Sequence, residues 1–564
     1  MRKKILIIGG VASGASAAAR SRRLDENAEI IMFEKDPHVS FSNCGLPYHI
    51  SGHISKIETL LLMNPLKFYS QYNIIAKVNH EVIEINHEQK TITVLDQSSK
   101  IKTIESYDEL IIATGARAKK IVIPGQEKMP SFVLKNVVDL DKIMKHINEN
   151  NPKHMTVVGG GYIGIEVAEN LKKAGISVSL VEYMNQVLMP IDFEMVQIAH
   201  KELLDQQIDL KLNSKITKID MNEITINDDE IIETNGIIFA TGITPNSEIA
   251  VSAGISVNKT NHILVNERFE TNIDHIYAVG DVIVVKDILN NEVAISLAGS
   301  ALKQGRFVAD AIYNKPVVNN KTLGSSVVQI FNLTVASTGM NEKQLKAHNV
   351  NYEVVTLMPK TAVGIMPEAK SLYLKVIFDR DSHLILGAQA ISKGYGAEKR
   401  VDIISVFIKN NIKVQELIDV EVCYAPPYAT GKDAVNFAGY IASNLIDNSF
   451  KQVQFYETAK LIKDNQLVID CREENEFAEG HIKGAVNIPM SVFRERVKEI
   501  PRDKNIYVHC RSGQRSYNMC LFLQSQGYEN VYNIAGSYAF MSNYYDTLEK
   551  LYGGESLLTV PIFN

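Results

Sequence analysis

Cysteine is scarce in this chain, with five in 564 residues. They fall at irregular intervals, which excludes a disulfide framework and suits a reducing compartment where thiols do chemistry. Basic charge is not in excess, because 59 Lys and Arg face 65 Asp and Glu for a net charge of −6. That balance leaves no electrostatic footprint for nucleic acid. No apolar run approaches the roughly 20 residues of a membrane span. The opening run Ile5 to Ile8 is too short for a signal segment and leads directly into a glycine turn. A cytoplasmic protein without a membrane or nucleic-acid partner is therefore expected. Metal-ligand spacings and low-complexity repeats are not evident, and no metal is expected. The composition, 45% hydrophobic and 22% charged, is that of an ordinary globular protein. Its length exceeds what one core serves, and about three to four domains are expected.

Glycine turns organise the first half. Lys3 to Ile8 reads as a buried parallel strand. Gly9-Gly10-Val11-Ala12-Ser13-Gly14 and an alanine-rich helix follow, and a second strand, Glu29 to Phe33, ends in Glu34. Glycines let backbone approach a pyrophosphate at a helix N-terminus, and the acid at the second strand end binds a ribose hydroxyl. Val11 stands at the middle glycine, so this unit alone is imperfect. A complete unit follows the run Met155 to Val158: Gly159-Gly160-Gly161-Tyr162-Ile163-Gly164, with a strand Ser177 to Val181 ending at Glu182. Two such units imply two dinucleotides. Glu182 repels a 2′-phosphate and favours NADH over NADPH. Two related strands end in Ala113-Thr114-Gly115 and Ala240-Thr241-Gly242, and a third ends in Gly280-Asp281. Asp281 is either a flavin ribityl acceptor or a helix N-cap.

The segment Ser40-Phe41-Ser42-Asn43-Cys44-Gly45-Leu46-Pro47-Tyr48-His49 sits just past Glu34. In a dinucleotide fold a side chain there reaches the cofactor's reactive ring. Position 49, where a dithiol enzyme carries its second cysteine, is histidine, and the next cysteine is Cys423. Cys44 is therefore read as a lone thiol that pairs with an incoming partner. The competing reading is a small inert core residue.

The paired glycine units, the Ala-Thr-Gly turns, Gly280-Asp281 and the Ser-Asn-Cys-Gly-Leu-Pro-Tyr run together resemble the two-dinucleotide flavoprotein disulfide reductases. The lone cysteine narrows this to the single-cysteine branch: coenzyme A disulfide reductases, NADH oxidases and NADH peroxidases. The first glycine unit is most similar to the coenzyme A disulfide reductases. The resemblance implies an α/β chain with two Rossmann-type domains, an α+β dimerisation domain and a homodimer. It places FAD on residues 1–115 and 246–325, NADH or NADPH on 116–245, and dimerisation on 326–445. FAD contacts fall on Gly9, Gly10, Ala12, Ser13, Gly14, Glu34 and Lys35, with Asn43, Thr114, Gly115 and Asp281 nearer the ring. Nicotinamide dinucleotide contacts fall on Gly159, Gly161, Tyr162, Ile163, Gly164 and Glu182. Coenzyme A, as substrate or bound ligand, needs cations for its phosphates. Arg20 and Arg23 occupy that part of the family site, with Ser40 and Asn43 beside the thiol; the alternative is solvated helix arginines. Tyr424, before Ala425-Pro426-Pro427, matches a tyrosine that crosses the dimer to the partner's cysteine. A second family tyrosine is missing, because Val363-Gly364-Ile365-Met366-Pro367 holds Met366 there. That departure weakens assistance to a leaving thiolate and favours a better leaving group, such as sulfide from a persulfide.

A polar stretch, 446–456, reads as a linker. Beyond it, over 457–564, the strand ending in Asp470-Cys471-Arg472, the later Gly480-His481-Ile482, and Cys510-Arg511-Ser512-Gly513-Gln514-Arg515-Ser516 opening a helix resemble a rhodanese domain. Backbone N–H groups and a helix dipole around Cys510 favour a thiolate or persulfide, and Arg511 and Arg515 offer charge to an anionic donor. A tyrosine phosphatase loop is excluded, because its arginine position is Ser516 here. Cys471 and Cys520 read as structural.

Joined, the halves imply NAD(P)H-linked reduction through FAD of a coenzyme A disulfide, persulfide or polysulfide at catalytic Cys44. Tyr424 assists, and Cys510 carries sulfur from small sulfane-sulfur donors. The alternatives are an NADH oxidase or peroxidase cycling Cys44 through sulfenic acid, and a sulfur-delivery or redox-sensing partner protein.

Overall fold

The computed structural model describes residues 2–119, 121–317 and 321–560. Residues 318–320 of the expected FAD segment and 561–564 of the expected rhodanese segment lie outside the described residues. The chain divides into two compact units: Met1–Asn185 with Ile208–Gly324, and Gln186–Gln207 with Ser325–Asn564.

The first unit repeats one design twice. Each half has a five-stranded parallel sheet and a three-stranded antiparallel meander. The first sheet runs Ile276–Ala278, Glu109–Ile112, Lys4–Ile8, Glu29–Glu34, Ile75–Val78. Ile5, Leu6 and Ile7 are wholly buried at its centre, which is why that strand is an unbroken apolar run rather than an alternating one. The helix Ala12–Leu24 presents small residues to the helix Ala298–Ile312, so close that a Cβ on Gly305 would lie 2.3 Å from the Ser13 carbonyl oxygen. The second sheet runs Asp209–Lys211, Ser177–Val181, His154–Val158, Ile237–Phe239, Ser131–Val133. In both sheets the glycine turn leaves the central strand at its C-terminal end.

The second unit joins an antiparallel five-stranded sheet, Ser326–Ile330, Leu333–Gly339, Ile385–Lys393, Leu372–Asp379, Tyr352–Leu357, to a parallel one. The parallel sheet runs Lys451–Gln454, Val531–Ala535, Ile506–His509, Leu467–Asp470, Val486–Asn487. Part of the expected linker 446–456 is thus an edge strand. Its polar composition reflects an edge position, where charge and amide side chains discourage further pairing. Gln452 also donates to the Val354 carbonyl at 2.7 Å, and Gln454 accepts from Thr356 at 3.0 Å.

Residues Gln186–Gln207 interrupt the expected span 116–245 by grouping with the second unit. Their anchor is electrostatic. Lys375 is 1% exposed, and its ammonium donates to Asp192 at 2.7 Å, to Glu342 at 2.6 Å and to Glu194. Gln389 adds a bond to Asp192 at 2.7 Å. A buried ammonium among carboxylates is held by Coulomb attraction that offsets its lost hydration, and removing it strands the acids. Lys375→Met should therefore lower stability by about 3–5 kcal/mol, read as a lower midpoint in urea.

Candidate active site

In the first unit a cavity of about 610 Å³ is lined by Gly9, Glu34, Asn43, Thr114, Lys135 and Asp281, among others. Lys35, Ala12, Ser13 and Gly115 also face it. The turn at its base is built by sterics. Gly9 has φ +101°, and a Cβ there would lie 2.2 Å from the Ala113 carbonyl oxygen. Glu34 closes the turn, accepting from the Gly10 N–H at 2.9 Å and the Asp36 N–H at 3.1 Å. Burial pushes its carboxyl up while those two donors pull it down. Thr114 donates to the Asn246 carbonyl at 2.7 Å, which locks the Ala-Thr-Gly turn. An acid at the second strand end and an open glycine-walled cavity fit a dinucleotide.

The second glycine turn repeats this. Gly160 N–H donates to Glu182 at 2.6 Å, and Met184 N–H donates to it at 2.7 Å. Gly159 and Gly164 meet backbone at distances no Cβ tolerates, whereas Gly161 faces open space at the start of the helix Tyr162–Lys173. Open space there is what a pyrophosphate approach requires. Tyr162 and Ile163 form the helix's first turn.

Cys44 sits in a single turn, Asn43–Gly45, followed by the helix Leu46–Ile50. It is an exposed free thiol, and His49 is committed to the Ile54 carbonyl at 2.6 Å. Ser40, upstream, has φ +47° and bonds through its N–H to the Gly10 carbonyl at 2.9 Å. A non-glycine residue in that region is uncommon, and here it turns the chain from the second strand into the thiol loop. Crowding by the surrounding protein and the Glu166 carboxylate push the Cys44 thiol up; Lys135 opposes them and Asp281 adds to them. Lys135 pairs with Asp281 at 3.1 Å. Glu166 accepts from the Tyr48 hydroxyl at 3.3 Å, and burial lifts its carboxyl to about 7. Sequence reasoning passed over Lys135 and Glu166. Glu166 lies two residues past the last glycine of its turn, a signal available in retrospect, whereas Lys135 carries none.

Not every expected contact is free. Arg20 donates twice to Asp310, at 2.9 and 2.6 Å, and Arg23 lies over the Tyr72 ring at 5.7 Å. In the second unit Tyr424 is exposed, on a loop whose Pro426 carbonyl accepts from the Val363 N–H at 3.2 Å. The turn that lacks the second tyrosine and the loop of the present one are thereby tied together.

The Cys510 loop follows the strand Ile506–His509 and opens the helix Gln514–Ser525. Its sulfur accepts from the Gly513 N–H at 3.1 Å and the Ser516 hydroxyl at 3.6 Å. The neighbouring Cys471 thiol and these loop donors hold the Cys510 thiol well below its usual range despite its burial. Arg472 forks Asp470, at 3.1 and 2.7 Å, beneath the loop, with Tyr538 stacked on its guanidinium at 3.8 Å. Arg515 is bound to Glu476 at 2.6 and 2.8 Å. Arg511 has no carboxylate partner among the described residues, and with Lys360, Lys370 and Lys393 it lines a cavity of about 580 Å³.

Residues 3–305 match the pyridine nucleotide-disulphide oxidoreductase family, and residues 325–434 match its dimerisation domain. The chain belongs to that family. Residues 455–542 match the rhodanese-like domain. The oxidoreductase is 36% identical over 441 residues to the coenzyme A disulfide reductases of Staphylococcus aureus and Staphylococcus epidermidis, covering 78% of this chain and 99% of theirs. It is similar over its whole length to reduced Bacillus anthracis CoADR-RHD, with TM-score 0.94, 41% identity and coverage of 98% and 99%. A NAD-dependent persulfide reductase from A. fulgidus superposes with TM-score 0.89 at 30% identity, covering 95% of this chain and 99% of that one.

Glu166 and Cys44 give a measurable coupling. Above pH about 7 the Glu166 carboxylate is ionised and opposes the thiolate. Glu166→Gln should speed alkylation of Cys44 by iodoacetamide at pH about 8, on the order of tenfold for each unit by which the thiol pKa falls. Peptide mass spectrometry reads the rate, and the two proteins should converge as the pH drops below the Glu166 value.

Proposed function

We propose that this oxidoreductase is an FAD-dependent, NADH-preferring reductase of coenzyme A disulfide and coenzyme A persulfide. Its rhodanese centre feeds sulfane sulfur to the Cys44 site. One observation carries the reading: an exposed thiol with no resolving cysteine shares a chain with a second sulfur centre whose thiolate is held by loop N–H donors. The curated relatives and the similar structures support it.

FAD, when bound, supplies the electron pair from NADH that returns Cys44 to the thiolate and frees the coenzyme A thiol. The chain's own residues do the rest. Glu34 and Asp281 meet the dinucleotide at its two ends, Lys135 offsets the acids around Cys44, and Glu182 selects an unphosphorylated ribose. The Cys44 thiolate attacks the inner sulfur of the persulfide, forming a mixed disulfide and expelling hydrosulfide. Hydrosulfide leaves readily because its conjugate acid has a low pKa, which suits a site where Met366 replaces a hydroxyl donor. Tyr424, exposed in one chain, serves Cys44 of the partner subunit in a homodimer. Cys510 takes sulfur from small anionic donors drawn by Arg511, and Arg515 keeps Glu476 in place. Arg23 is the freer guanidinium for coenzyme A phosphates, because Arg20 is held by Asp310. The five free thiols fit a reducing, cytoplasmic setting.

NADH consumption tests this directly, measured anaerobically with coenzyme A disulfide or coenzyme A persulfide as acceptor and, in a separate arm, with oxygen alone. Cys44→Ser should abolish turnover with both coenzyme A acceptors. Cys510→Ser should spare them and remove only thiosulfate- or polysulfide-driven steps. Oxygen consumed as fast as either coenzyme A acceptor would instead make the protein an NADH oxidase. Full NADH-linked activity in Cys44→Ser would overturn the assignment.

A further inference from the structure

Cys471 reads from sequence alone as a structural thiol, and its position in the fold says more. The strands Leu467–Asp470 and Ile506–His509 pair in parallel, with Asp470 opposite His509 as the last rung. The ladder continues one step further, because the Cys471 N–H donates to the His509 carbonyl at 2.9 Å. Cys471 and Cys510 are therefore register-matched at the ends of adjacent strands, and matched residues of parallel strands point to the same face. Both are buried, at 0% and 1% exposure, in one apolar cluster with Ile469, Val508 and Met519. Each thiol bears on the other's proton, Cys510 raising the Cys471 thiol and Cys471 lowering the Cys510 thiol. Adjacent strands lie about 4.8 Å apart, inside the Cα separation of about 4.4–6.8 Å that a disulfide spans.

We propose that Cys471 is a resolving cysteine for Cys510, so that the rhodanese centre closes a reversible Cys471–Cys510 disulfide when a hydroperoxide oxidises it. In the first step the Cys510 thiolate displaces hydroxide from hydrogen peroxide and becomes a sulfenic acid. In the second, the Cys471 sulfur attacks the Cys510 sulfur. The new S–S bond replaces the S–O bond, and the Cys471 proton leaves with the sulfenic hydroxyl as water. Two molecules of a small thiol reverse the change by disulfide exchange. Hydrogen peroxide is smaller than the sulfur donors that must already reach Cys510. Without a resolving thiol, the sulfenic acid advances to the irreversible sulfinic acid. The pair is thereby a protective switch on sulfur transfer that leaves Cys44 untouched, and it stands whether or not coenzyme A is the acceptor.

The test uses the FAD-loaded full chain treated with a few equivalents of hydrogen peroxide, followed by non-reducing peptide mass spectrometry. A linked peptide pair containing Cys471 and Cys510 is expected, and dithiothreitol should restore thiosulfate sulfurtransferase activity. In Cys471→Val, or Cys471→Ser should the valine chain misfold, the same treatment should leave Cys510 as sulfinic acid with a loss that dithiothreitol does not reverse. A Cys510 sulfinic acid in the wild-type chain, or a link from Cys510 to Cys520, would overturn the proposal. So would equal recovery of wild type and variant.

Discussion

A sulfur atom that takes and returns electrons must carry negative charge at some point in its cycle, and something must hold that charge. This chain holds it in two opposite ways. Around Cys510 the donors are built in: the Gly513 N–H and the Ser516 hydroxyl point at the sulfur, and the neighbouring Cys471 thiol also lowers it. Around Cys44 the protein alone resists the charge, because burial raises the thiol and the Glu166 and Asp281 carboxylates add to that against Lys135. The first centre is poised by its own backbone.

The Lys375 cluster shows the same logic applied to architecture. Asp192 and Glu194 belong in sequence to the second nucleotide fold, yet a buried ammonium holds them to the antiparallel sheet. The helix Phe193–Asp205 that follows packs on the last helix of the rhodanese domain, where Thr547 donates to the Gln197 carbonyl at 3.2 Å. One charge cluster thus fixes a segment on which two domains rest.

Much of this was legible in the sequence where chemistry is local. The glycine turns, the acids Glu34 and Glu182 closing them, and the Cys510 loop all depend on residues within a few positions of one another, so spacing encodes them. The oxidoreductase fold followed from these and from the lone Cys44. What spacing did not encode is long-range pairing. Lys135 meets Asp281, Arg20 meets Asp310, and Cys471 meets Cys510 only because sheets bring distant strands together. The strand inside the expected linker went unseen for a related reason: composition alone does not separate a polar loop from a polar edge strand such as Lys451–Gln454.

That edge strand carries a mechanical consequence. It is bonded on one side to the sheet it completes, through Val531–Ala535, and on the other to Val354 and Thr356. The rhodanese-like domain is accordingly tied to the antiparallel sheet at the point where it begins. Load on either sheet is passed to the other through these side-chain amides, so the two should give way together and not in turn.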